Sequence, residues 1–346
     1  MKMKKTLRFL TAAAVLAVLV LGFEYVRDSR MGNFKKHIDL YVYPNTTSSQ
    51  VLNQIDSLSR HPWALRRVFR RKKVSEYLKP GYYSIEESTS SVALARKLNN
   101  GWQTPVKLTL SGTLRLRDEI AAKISRQLMI SKDVVRDAFE DVELLEEYGF
   151  NPTNVFALFI PDTYSCYWTA SMKDILDIQK KAYDAFWTPE NESKAKALGL
   201  SKIEVSILAS IVKGETNYEP EMPKIAGVYL NRLDKGALLQ ADPTVAFCYD
   251  YTLNRILKSH LSFDSPYNTY KHQGLPPGPI YIPTRASLEA VLNPDRGNGN
   301  FFFCASPEFN GTHRFARNMS EHNANAKAFH DALNARNKAK AAGLSK

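Results

Sequence analysis

Cysteine is scarce in this 346-residue chain: Cys166, Cys248 and Cys304 are odd in number and far apart. That excludes a disulfide framework and the close ligand spacing of a zinc site, and leaves them as small core residues. Acidic charge is also short. Lys and Arg number 47 against 35 Asp and Glu, a formal net charge of +12, which suits an anionic partner such as a cell-wall polymer or a lipid surface. The densest basic cluster, Arg66-Arg-Val-Phe-Arg-Arg-Lys-Lys73, comes with no aromatic platform and no nucleic-acid module, so nucleic acid is not the expected partner. It reads first as a solvated helix face and second as a membrane-surface contact.

Long apolar runs are nearly absent, with one exception. Met1-Lys-Met-Lys-Lys5 and Arg8 precede an almost uninterrupted run from Phe9 to Phe23. The run ends in Leu21-Gly-Phe-Glu-Tyr-Val26, without the small-x-small site that a signal peptidase needs. With its flanks it reaches roughly 17–20 residues, the lower end of a spanning helix. We therefore expect an uncleaved single-pass anchor, its lysines inside by the positive-inside rule and the chain after about Arg27 outside the cytoplasm. Asn45, Asn191, Asn310 and Asn318 begin Asn-x-Ser/Thr patterns, which matter only in a glycosylating source, and the basic anchor fits a bacterium at least as well.

Beyond the anchor, Ile38-Asp-Leu-Tyr-Val-Tyr43 alternates as a strand, and Pro44 to Ser49 is a turn offering caps to a helix over Val51–Leu58. Lys79 to Ile85 repeats the turn and strand, and Ser90 or Ser91 starts a helix that Gly101 stops. Two strand-turn-helix units in succession suggest a small α+β module; the alternative is the first half of one larger domain. A strand follows at Val106–Leu110, then helices over Arg117–Leu128, Asp133–Tyr148 and Met172–Phe186. The stretch Ser201–Asp234 reads as helical, with Pro223 opening its second helix and Gly236 ending it. From Leu239 to Phe309 the chain is rich in Pro, Gly and aromatics, a loop-built region suited to a binding site, and Phe301–Ala305 is expected to be a buried strand.

One carboxylate stands out. Ser201 and Glu204 form a capping box, and Leu208, Ile211, Val212 and Glu215 recur at helical spacing on one stripe. Glu215 thus continues an apolar face while Lys213 points elsewhere. Poor solvation and the negative end of the helix dipole both disfavour its ionisation, as a general acid at neutral pH requires. From this helix alone an ordinary glutamate at a frayed end stays open.

Further segments follow in a fixed order: Phe159-Ile-Pro-Asp-Thr-Tyr164 upstream, then Leu208–Thr216, Asn231-Arg232, Leu239-Gln-Ala-Asp-Pro-Thr-Val245 and Ser265-Pro-Tyr-Asn-Thr-Tyr270. Gly274-Leu-Pro-Pro-Gly-Pro-Ile280, Gly311-Thr-His-Arg-Phe315 and Glu321-His-Asn323 complete the set. Together they closely resemble the MltG/YceG-like family of endolytic murein transglycosylases, over essentially the whole chain. The resemblance implies an α+β protein with a single N-terminal transmembrane helix in residues 1–30, a small LysM-like α+β module in 31–105 and a larger mixed α+β catalytic domain in 106–346. Many members carry Glu-x-Glu-Thr where this chain has Lys213-Gly-Glu-Thr216. By resemblance the catalytic residue is then Glu215, the acid that the helical stripe also selects.

The implied reaction cleaves MurNAc–GlcNAc β-1,4 bonds within nascent glycan strands and leaves 1,6-anhydro-MurNAc ends, without a cofactor. The implied location is the inner (cytoplasmic) membrane, with the catalytic domain on the extracytoplasmic side. Implied partners are peptidoglycan glycan strands and the synthases that make them. Gln240, Asp242 and Asn268 are candidates to support the oxocarbenium-like centre, although Asp242-Pro243 can begin a turn and Asn268 can cap one. Tyr267, Tyr270 and Tyr281 can stack on sugars or serve the core. Pro276–Pro279 is expected to shape a groove wall or a surface loop. His313, Glu321 and His322 lack a metal-ligand spacing; Glu321, His322 and Asn323 are expected as a hydrogen-bonded network bracing the cleft, with direct substrate binding next. Two other functions compete: a non-catalytic peptidoglycan-binding scaffold, and a hydrolase using Glu219, Glu221 or Asp242 as a second carboxylate.

Overall fold

The computed structural model describes residues 2–297 and 299–341, and the side chains of 8–297 and 299–340. The lysines of the basic start lie outside the described side chains. The fold is mixed α+β: helices dominate and the sheets have two strands each. Two compact units form. One takes the chain up to Leu108 with Gln127–Met129 and Ser165–Ala170; the other takes Thr109–Arg126, Ile130–Tyr164 and the chain from Ser171 on.

The first unit begins with one helix, Lys2–Arg30, of which Arg8–Arg30 is long and apolar enough to cross a membrane. Its apolar side chains are exposed until its last turns, where Arg27 and Asp28 become 8% and 1% exposed. Strand Ile38–Val42 pairs antiparallel with Gly81–Ile85, Ile38 opposite Ile85 and Val42 opposite Gly81. Alternation turns Leu40, Val42, Tyr83 and Ile85 into one core with Val51, Ile55, Leu65, Val68, Leu94 and Leu98. Local signals set the helix ends. Thr47 and Gln50 form a capping box for Ser48–Ile55, Ser90 caps Ser91–Asn100, and Gly101 ends it at φ 66°.

The basic cluster departs from a wholly solvated face. It lies on helix Pro62–Arg71, where Arg67 pairs with Glu24 at 2.5 Å and Asp28 at 2.7 Å, and Arg66 pairs with Asp56. The acids that pair with part of it lie outside the cluster, so its own composition could not reveal them.

In the second unit the stretch expected as one helix over Asp133–Tyr148 is two, Lys132–Ala138 and Val142–Glu146. Ser131 caps the first, and Asp141 starts the second by accepting from Leu144 N at 3.0 Å. Helix Pro189–Ala197, absent from the sequence expectations, is capped by Thr188 with Pro189 in its first turn. Helix Lys202–Glu215 carries the Ser201–Glu204 capping box and buries Val205, Leu208, Ile211 and Val212. It packs against Arg285–Leu292 and Met222–Asp234. A glycine is required just before its end: a Cβ on Gly214 would meet Pro243 Cβ at 2.7 Å and Tyr281 Cε2 at 3.1 Å. Strand Phe302–Ala305 pairs with His313–Ala316. It is half-buried rather than buried, because part of it borders open space. Helix Met319–Ala341 closes the described chain.

Candidate active site

Glu215 ends its helix in the wall of a cavity of about 480 Å³ in the second unit. Its carboxyl is half-buried, and Tyr229 on the neighbouring helix donates its hydroxyl to Oε1 at 2.5 Å. Burial pushes the Glu215 pKa up from 4.5 to about 7; the hydrogen bond from Tyr229 and the Arg232 cation pull it down, and the charge of Asp242 raises it. Burial lifts the Tyr229 phenol well above its ordinary value, so it stays a donor. The acid therefore sits where it can both hold and release a proton near neutrality.

Arg232 also borders the cavity and is 9% exposed. Its Nε donates to Phe301 O at 2.8 Å and its Nη1 to Leu239 O at 2.7 Å. One guanidinium thus ties the segment before Gln240 to the residue that precedes strand Phe302–Ala305. Its fork suits this role better than a lysine ammonium would.

The Gln240–Asp242 segment is held by a second device. Gln240 has φ 50°, an uncommon conformation for a residue other than glycine. Its N–H donates to Thr269 O at 3.1 Å, and Ala241 N donates to Thr269 Oγ1 at 3.0 Å. Thr269 Oγ1 and Thr244 Oγ1 meet at 2.8 Å with both residues buried. Residues held in sparsely populated backbone regions persist only where the surroundings fix them, and here two threonines do so. Asp242 is exposed at the start of helix Asp242–Cys248 and accepts from Tyr270 Oη at 2.6 Å.

Of the residues singled out in the sequence, Gln240, Asp242, His313, His322 and Asn323 border the same cavity as Glu215, as does Tyr270. Three others are elsewhere. Asn268 is 0% exposed; its Nδ2 donates to Leu261 O and Phe263 O, and its Oδ1 accepts from Tyr270 N. It braces a loop, as the capping alternative foresaw, and does not reach the cavity. Tyr267 borders a separate hollow and packs on Phe247 at 4.6 Å. Glu321 accepts from Arg317 N and Asn318 Nδ2 at 2.9 Å.

The expected bracing network of Glu321, His322 and Asn323 does not form among the described residues. Consecutive residues on a helix point about 100° apart and do not face each other. His322 instead stacks on Phe302, ring centroids 5.3 Å apart. Pro276 and Pro277 border another hollow beside Leu198 and Ile203, not the wall near Glu215. Among the described residues no group of three or more His, Cys, Asp or Glu could hold a metal.

Of the proposed second carboxylates, Glu221 is committed to His313, accepting from its backbone N at 3.0 Å and pairing with Nδ1 at 3.0 Å. Glu219 is exposed. Asp242 alone of the three borders the cavity. Sequence reasoning missed Tyr229 as a partner of Glu215, and Phe302, Phe303 and Cys304 as residues lining the same cavity. The only trace of Tyr229 was its place on a helix near Asn231-Arg232.

Comparison with known proteins agrees across sequence and structure. A Bacillus subtilis protein named endolytic murein transglycosylase is 31% identical over 260 residues, 70% of this chain and 71% of its own length. A Streptococcus pneumoniae protein of the same name is 25% identical over 342 residues, 88% of this chain but only 61% of the longer relative. The crystal structure of a yceG-like protein from Listeria monocytogenes has a TM-score of 0.55 and 25% identity, covering 84% of this chain and 99% of that one. Residues 40–328 match the model of the YceG-like family, and with that span and these relatives the chain belongs to the YceG-like family.

Proposed function

We propose that this chain is a membrane-anchored endolytic murein transglycosylase and that Glu215 is its catalytic acid and base. The observation that carries the reading is a half-buried carboxyl with a pKa of about 7 in the cavity wall. Glu215 begins protonated and gives its proton to the glycosidic oxygen as the MurNAc C1–oxygen bond breaks. The C6 hydroxyl of the same sugar then bonds to C1, and its proton passes to the Glu215 carboxylate, which restores the acid. The nucleophile is tethered to its target, so its effective concentration is high and no activated water is needed.

Gln240 and Asp242 stand where polar support for positive charge at C1 is useful, and the Phe302 and His322 rings offer an apolar platform to a sugar face. On the anchor reading of the first helix, the chain lies in the inner membrane with everything after about Arg27 outside the cytoplasm, where nascent strands and their synthases meet it. Residues 31–105 act as a LysM-like module and residues 106–346 as the catalytic domain. Asp242 sharing the cavity favours hydrolysis as the competing chemistry, whereas a scaffold has no use for a carboxyl held near neutrality.

One digestion separates these readings. The full chain in detergent is incubated with purified murein, and the sugar ends are identified by mass spectrometry. Anhydro ends that vanish in Glu215→Gln are the expected result. Reducing ends lost in Asp242→Asn mean a hydrolase, and binding without product means a scaffold.

A further inference from the structure

Counting along the first helix sets the level of what packs on its end. A spanning helix needs about 20 residues, and counted from Arg8 these end at Arg27. At Arg27 the helix is no longer free: its guanidinium carbon lies 4.0 Å from the centroid of the Trp63 ring, and Arg67 reaches back to Glu24. Glu24 is roughly 6 Å below Asp28 along the axis at 1.5 Å per residue. Helix Pro62–Arg71 therefore lies beside the last turns of the spanning helix, at the depth where hydrocarbon gives way to headgroups. Between residues 60 and 73 there are seven Lys or Arg and no Asp or Glu. Arg67 is used up on Glu24 and Asp28, and Arg66 on Asp56. Arg70 and Lys72 have no ion-pair partner among the described residues, and Trp63 is 52% exposed.

We propose that this face of the first unit docks on the bilayer surface, Trp63 entering the interface and Arg70 and Lys72 meeting anionic phospholipid headgroups. The inference rests on the anchor reading of the first helix. Tryptophan is suited to that boundary because its ring is amphipathic. Basic side chains near an anionic surface gain about 1 kcal/mol each, roughly a fivefold preference, within a Debye length. The anchor brings these groups to the surface whatever the lipid, so lipid charge decides how closely they bind.

The full chain is reconstituted into phosphatidylcholine vesicles and into phosphatidylcholine–phosphatidylglycerol vesicles, with acyl chains brominated near the carbonyl end. The four tryptophans all lie outside the apolar helix, so quenching of tryptophan emission reports docking and not the anchor itself. The expected result is stronger quenching with phosphatidylglycerol, most of it lost in Trp63→Phe. The double variant Arg70→Glu/Lys72→Glu, which touches no ion pair, should return quenching to the phosphatidylcholine level. Quenching unchanged in both variants, in protein that resists alkaline carbonate, overturns the docking and leaves the anchor intact. Release by carbonate overturns the anchor and the docking with it.

Discussion

Replacing Glu215 by Gln should make the protein more stable at alkaline pH while abolishing catalysis. A carboxyl whose pKa rises from 4.5 to about 7 on folding opposes folding by about 3 kcal/mol once fully ionised, at about 1.4 kcal/mol per unit. Below about pH 4.5 both folded and unfolded forms hold the proton and nothing is lost. Between the two values the folded form binds more protons, so stability falls as pH rises, and above about 7 the deficit is complete. Glutamine cannot ionise, and its carbonyl still accepts from Tyr229. Its new amide donors offset part of the gain, so about 1–3 kcal/mol is expected near pH 8 and close to zero near pH 5. For a unit of this size that is about 2–4 °C in Tm per kcal/mol. Melts of both proteins at the two pH values are the assay. A Gln variant that gains equally at both pH values, or at neither, would refute the claim that desolvation governs this carboxyl.

Other expectations follow from the same contacts. Tyr229→Phe removes a hydrogen bond worth about 1.5–3 kcal/mol to the charged form. The alkaline limb of kcat/KM should then move up by roughly 1–2 pH units from about 7; an unmoved limb refutes this. Gly214→Ala forces a methyl to within 2.7 Å of Pro243, so a loss of about 1–3 kcal/mol is expected in denaturant unfolding, with activity reduced as Glu215 is displaced. Thr269→Val leaves Ala241 N without its acceptor, while the Thr244 hydroxyl keeps Ala241 O; this costs about 1–3 kcal/mol, and Thr269→Ser should restore most of it. Failure of serine to rescue would locate the effect in packing.

What was legible in the sequence was local. The capping box of Ser201 and Glu204, the stripe ending at Glu215 and the turns around Thr47, Ser90 and Gly101 each act within a few residues. The chain organisation of the first unit followed from strand alternation for the same reason. What the sequence did not show was which groups each side chain meets, near or far along the chain. Asn268 is polar in a loop-rich stretch, yet three backbone groups of that loop claim it. Glu321-His-Asn323 looked like a cluster because the residues are consecutive, and the helix from Met319 turns them apart. Tyr229 sits on a helix separate from that of Glu215, and nothing in its neighbourhood marked it as the donor to the acid. The reluctance of Glu215 to ionise was foreseeable, but its tuning by Tyr229, Asp242 and Arg232 was not.

Arg232 bears on how a polymer enters. Because its guanidinium holds carbonyls from Leu239 and Phe301 at once, the slot between those segments cannot widen without giving up hydrogen bonds to a buried cation. Its gauge is therefore set by the protein before any strand arrives. The cavity beside Glu215 thus keeps its shape through a cation that the chain's own carbonyls hold in place.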